Sequence, residues 1–152
     1  MKIPLTNNNL VFFIPVTLDL KLSLKNHGWV YLPPWELDND DLLRVENICG
    51  EKLRIKIKQL NKQKLKIKYD STEVKPRKHL KKLVWQWFSL NDDYKDFISL
   101  AANLDPTIAQ HVQLGGGRFL RSSTFHEDFV KTVCTINTNW SSTIRMIANI
   151  VS

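Results

Sequence analysis

The sequence predicts an α+β fold: a small antiparallel β-sheet domain with a short helix, followed by an incomplete all-α helical domain. Three observations carry this expectation. Between residues 51 and 69, apolar and cationic residues alternate with a period of two. From residue 80 onward, apolar residues recur at helical spacing. A composition of 43% hydrophobic and 24% charged residues, with 5 Trp and 7 Phe in 152 residues, supplies enough apolar mass for a core and excludes disordered, collagenous and coiled-coil classes. The expected division is residues 1–75 for the β domain and 76–152 for the helical one.

Taken in order, Leu10–Val16 is a short apolar run that Pro15 marks as an edge or bend. Asp19 is placed to cap a helix over Leu20–Asn26 that Gly28 ends. Trp29–Leu32 has β-prone residues stopped by Pro33-Pro34, and Leu42–Cys49 is a second extended segment after the acidic turn Asp38–Asp41. The clearest element is the hairpin. Leu53, Ile55 and Ile57 alternate with Lys52, Arg54, Lys56 and Lys58; after Asn61-Lys62-Gln63, Leu65, Ile67 and Tyr69 alternate with Lys64, Lys66 and Lys68. One face must bury and the other, cationic, must meet water or a partner.

Past the polar linker Asp70–Arg77, Leu80, Leu83, Val84, Trp87 and Phe88 form a helical stripe. Asn91-Asp92-Asp93 can cap a helix carrying Tyr94, Phe97, Ile98 and Ala101. Asp105-Pro106 starts a third helix in the Asp-cap, Pro-first pattern, which Gly115-Gly116-Gly117 ends. Thr124–Glu127 fits a capping box ahead of Phe129, Val130, Val133 and Cys134. A last helix with Ile144, Ile147, Ala148 and Val151 runs to Ser152 without a Gly, Pro or basic stop signal.

The net charge is +7, from 22 basic and 15 acidic side chains. Residues 51–87 alone hold 13 Lys/Arg and 3 Asp/Glu, so the entire excess is one block. Such a block suits a polyanion or, with Lys outnumbering Arg 16 to 6, a solvated face that resists edge pairing. Trp85 and Trp87 beside Lys81 and Lys82 have the ingredients of a base-stacking platform, although Trp87 also fits the buried stripe. Gly115–Arg118 reads as a flexible connection or as an anion-binding nest. His27, His79, His111 and His126 show no ligand spacing, and Cys49 and Cys134 read as buried small hydrophobes, so no metal and no cofactor are expected. No apolar run reaches membrane-spanning length, and no secretory h-region is present. An intracellular location, cytoplasmic/nucleoid or nuclear, is expected.

The run from Gly117 to Trp140, GRFLRSSTFHEDFVKTVCTINTNW, carries a more specific signal. It resembles the helix-hairpin-helix DNA glycosylases of base excision repair, in the branch of alkyladenine and oxoguanine glycosylases. In that family a G-x-R-x-L-R segment precedes a helix ending in Asn or Gln. Phe88–Tyr94, Leu104-Asp105-Pro106 and Leu114–Gly117 are similar to further steps of the family pattern, and the N-terminal half is similar to its small β domain. The resemblance implies binding to damaged double-stranded DNA. Asn137 falls where the family inserts an amide into the void left by a flipped base, and Asn139 lies at the start of the next helix. An amide both donates and accepts, which suits an orphaned base. Each asparagine also reads as a plain helix cap. The family's L-P-G-[IV]-G hairpin, its catalytic Asp and its Schiff-base Lys have no counterpart here. The resemblance therefore implies an N-terminal portion with no catalytic residue, inactive alone, with bare apolar helix faces. A non-catalytic DNA-binding or protein-interaction remnant is the alternative.

Overall fold

The computed structural model describes residues 8–24, 28–71 and 76–152. The expected end of the first helix at Asn26, together with His27 and residues 72–75 of the linker, lies outside the described residues. Five strands form one antiparallel sheet: β1 (Asn8–Phe13), β2 (Trp35–Asp38), β3 (Asp41–Ile48), β4 (Glu51–Asn61) and β5 (Lys64–Tyr69), in the order β1-β5-β4-β3-β2. The helices are α1 (Leu20–Leu24), α2 (Arg77–Trp87), α3 (Lys95–Leu104), α4 (Pro106–Gln113), α5 (Phe125–Val133) and α6 (Trp140–Val151). The α+β architecture is as the periodicities require.

The hairpin forms as its alternation dictates, with Ile57 opposite Ile67 and Lys58 opposite Lys66. Leu53, Ile55, Ile57, Leu65 and Ile67 are completely buried, each worth about 1.5–3 kcal/mol of apolar transfer. Their cationic neighbours point to the outer face, exposed or half-exposed. Lys56 is held by Asp38 at 2.8 Å and Asp41 at 3.1 Å.

The inner face meets α2. Leu80, Val84 and Trp87 are buried against the sheet, in a core continuous with Phe12, Trp35, Leu53 and Leu120. Trp87 packs edge-on to Trp35, 5.1 Å between ring centroids, and its Nε1 donates to Ser123 Oγ at 2.9 Å. Gln59, on the same sheet face, accepts from the Leu20 amide at 2.8 Å and donates to the Leu18 carbonyl at 2.6 Å, which ties α1 to the sheet.

Several expectations need correction. Trp29–Tyr31 is a short 3₁₀ helix, not a strand. Gly28, with φ +79°, starts the turn, and the amides of Tyr31 and Leu32 bond back three residues to Gly28 and Trp29. Extended pairing resumes only after Pro33-Pro34, where Trp35 aligns with Arg44. β1 ends at Phe13, short of Val16, as the chain bends through Pro15.

Cys49 is exposed and Cys134 half-buried, so neither is a core residue. Cys49 and Gly50 are the two central residues of the β3–β4 turn, both with positive φ, the geometry that matches strand twist in a two-residue hairpin. The triglycine is a packed crossing, not a flexible connection. The Gly115 carbonyl accepts from the Asp19 amide at 2.8 Å, and a Cβ on Gly115 would lie 2.5 Å from that nitrogen. The amides of Gly115 and Gly116 bond back to Val112 and His111, so they do not form an open anion nest.

Candidate nucleic-acid interface

α5 and the turn after it carry the residues that the sequence singles out. Thr124 caps α5 as expected, its Oγ1 accepting from the Glu127 amide at 3.1 Å. The other half of the capping box is redirected. Glu127 turns its carboxylate to Arg44 of β3, which donates from Nη1 at 3.1 Å and Nη2 at 2.6 Å. Lys131, one turn on, donates to Glu127 Oε1 at 2.6 Å. Arg44 also pairs with Glu46 and lies over the Trp35 ring at 4.5 Å and the Trp87 ring at 5.6 Å. Next to it Asp128 accepts from Trp29 Nε1 at 3.0 Å. The acidic first turn of α5 therefore locks this helix onto the sheet.

The titration of this cluster follows from its geometry. Burial pushes the Glu127 carboxyl upward, but hydrogen bonding and charge from Arg44, then Lys131, outweigh it and lower the pKa from 4.5 to about 2. Burial lowers the Lys131 pKa, and Glu127 only partly restores it. Both groups gain from the Glu127–Lys131 contact, and for Lys131 the cost of burial outweighs that gain. Arg44 decides for Glu127, because its two-pronged contact keeps the carboxylate ionised without Lys131. Lys131→Met should accordingly change unfolding free energy by less than about 1 kcal/mol, since its stem packing is kept and a poorly solvated charge is removed. Urea denaturation would show it; a loss above about 2 kcal/mol would make Lys131 an essential partner.

Past α5, the chain turns through 134–139 into α6. Asn137 is fully outside the helices, exposed, in the left-handed region at φ +53°. Its side chain makes no hydrogen bond to any described residue, so both its donor and its acceptor are available. Asn139 differs. Its Oδ1 accepts from the Ser142 amide at 2.9 Å and from Ser141 Oγ at 2.7 Å, so it caps α6 and only its amide nitrogen remains for another partner. The first turn of α6 contains no acidic residue, which leaves its positive end uncompensated. Ile136 and Trp140 flank this turn, both exposed.

Apolar exposure extends across the helical half. The apolar stripes of α3 and α5 are largely bare: Ala101 is buried, whereas Phe97, Phe129 and Val133 are exposed, and beside them Leu100 is exposed and Phe125 is 84% exposed. Phe125 and Phe129 stack on each other with centroids 6.1 Å apart. Clusters of this extent on a surface mark contact regions.

Two features escaped sequence reading. Arg44 and Glu46 share a strand face with Leu42 and Ile48, so polar residues on an apolar-period face were the available signal. Arg118, within the G-x-R-x-L-R segment, is buried. It donates to the carbonyls of Ser89 and, at 3.2 Å, Asp92, and lies over the Tyr94 ring at 4.4 Å. That makes it a clamp on the 88–94 turn. Among the described residues, no group of three His, Cys, Asp or Glu side chains could hold a metal ion, and no helix is long and apolar enough to cross a membrane.

No protein-family profile and no curated protein matches the sequence. Solved structures do match the fold. The 3-methyladenine DNA-glycosylase from Archaeoglobus fulgidus superposes with a TM-score of 0.76 at 12% identity, over 93% of this chain and 49% of that one. The Clostridium acetobutylicum 8-oxoguanine glycosylase/lyase, in its apo-form, superposes with a TM-score of 0.57 at 16% identity, over 95% of this chain and 45% of that one. The chain therefore spans about half the length of either structure and shares the fold of that half.

Proposed function

We propose that the chain acts as the N-terminal, DNA-engaging portion of a base-excision-repair DNA glycosylase, binding damaged duplex DNA and supporting base flipping without itself holding the groups that cleave the glycosidic bond. The observation that carries this reading is the fold shared, over more than nine-tenths of the chain, with two DNA glycosylases. The exposed amide of Asn137, at a turn beside the positive end of α6, supports a DNA contact there. Asn139 contributes chiefly by capping α6, with its remaining N–H directed to the same partner. The uncovered faces of α3 and α5 support a role in which further protein packs on these helices, and they also favour the second reading, a protein-interaction module. An intracellular compartment that contains DNA follows from the reading.

The test uses fluorescence anisotropy with a labelled duplex carrying a tetrahydrofuran abasic site. Asn137→Ala should weaken binding about 10-fold, near 1.4 kcal/mol, while Asn139→Ser, which retains a cap, should change it little. Unchanged binding by Asn137→Ala would return that residue to a purely conformational role. Incubation with duplexes containing 8-oxoguanine or 3-methyladenine should release no base, and any release would overturn the non-cleaving part of the proposal.

A further inference from the structure

The side of α2 turned away from the core lines an open groove of about 480 Å³. Lys78, Lys81, Lys82 and Trp85 project into it at helical spacing, and Arg121 forms part of the opposite wall beside Asp92. We propose that this groove binds single-stranded nucleic acid, with the lysines on successive phosphates and one base stacked on Trp85. It is separate from the 134–140 turn and does not depend on the reading of that turn.

Charge comes first. No carboxylate among the described residues forms an ion pair with Lys78, Lys81 or Lys82, whereas Arg121 is paired with Asp92 at 3.4 Å. Three cations on one helix face, with no ion-pair partner among the described residues, repel one another, and a polyanion relieves that repulsion while releasing its own counterions. Lys78 and Lys82 are separated by about 6 Å along the helix axis, comparable with the reach of one extended nucleotide.

The aromatic side chain chooses the strand state. Trp85 is half-buried, held edge-on by Phe12 at 5.9 Å, with the Lys81 ammonium over its ring at 4.9 Å. A cation on an exposed ring is worth about 0.5–1 kcal/mol, less than the roughly 1–3 kcal/mol of base stacking. When a strand enters, Lys81 moves from the ring to a phosphate and a base takes its place. Duplex bases are already stacked and present no free face to the groove; single-stranded bases do.

The test measures binding of the 152-residue chain to fluorescein-labelled dT12 as a function of salt. Lys78→Gln/Lys81→Gln/Lys82→Gln should weaken binding at least 10-fold and reduce the slope of log K against log salt by about 2, at roughly 0.7 per phosphate contact. The charge-matched control, Lys58→Gln/Lys66→Gln/Lys68→Gln on the outer face of the sheet, should lose much less. Trp85→Leu should weaken dT12 binding about 10-fold, and quenching of Trp fluorescence by dT12 should diminish in Trp85→Phe, a milder change that guards against misfolding. Abasic-duplex binding should survive all three groove changes, whereas Asn137→Ala should spare dT12. Equal losses in the groove and sheet variants would overturn the site. Loss of duplex and dT12 binding together, with Trp85 indifferent, would overturn its single-strand character.

Discussion

Arg44→Ala should lower the free energy of unfolding by about 3–5 kcal/mol, because removing one partner strands buried charge. Arg44 is only 3% exposed, and its guanidinium is the common partner of Glu46 and Glu127. After truncation Glu127 keeps Lys131, whose own charge is already disfavoured by burial, and Glu46 keeps only its bond from Ser123. The space over the Trp35 and Trp87 rings is vacated as well, which adds lost packing. At roughly 2–4 °C per kcal/mol for a chain of this size, the melting temperature should fall by about 10 °C. Urea unfolding followed by Trp fluorescence measures this. A loss below about 1 kcal/mol would mean that the sheet and α5 are held together by apolar contact alone.

Acid should loosen the same joint. The Glu127 carboxyl titrates near 2 in the folded chain against an ordinary value of 4.5. A depressed carboxylate stabilises the fold fully above the unfolded value and loses that contribution as pH falls through the folded one. The window is therefore between about pH 4.5 and pH 2, and the gap is worth on the order of 3 kcal/mol. Glu127 is 19% exposed at its side chain, so solvent screening trims this figure only modestly. In Glu127→Gln the acid limb of a stability–pH profile should flatten by most of that amount. An unchanged limb would place the acid sensitivity in other carboxylates.

These two expectations concern contacts whose partners no local pattern names, whereas much of the fold was open to sequence reasoning. The β4–β5 hairpin followed from alternation, since a period of two can satisfy only one buried face. The starts of α4, α5 and α6 followed from Asp105, Thr124 and Asn139, because a cap acts on amides two or three residues away. The Trp29–Leu32 segment was misread because its β-prone residues say nothing of the positive φ at Gly28 that turns the backbone into a 3₁₀ bend. The stripes of α3 and α5 were legible as amphipathic, but amphipathicity does not say whether a face is covered in this chain.

The asparagines show the same division. Their place at the end of one helix and the start of the next was visible in sequence, while the structure separates them: Asn139 spends its carbonyl on α6 and Asn137 keeps both functions exposed. The charge block was also visible, and the structure splits it into an outer sheet face and an α2 groove around Trp85. Periodicity and capping act within about one helical turn or one strand pair, so the sequence alone determined most of the elements and their faces, the Trp29–Tyr31 turn excepted. Arg44 on Glu127, Trp29 on Asp128 and Gly115 against Leu18 join residues more than 80 positions apart. No local pattern encodes such pairs; they exist only once the sheet, α2 and α5 close on one core, so tertiary structure alone decided them.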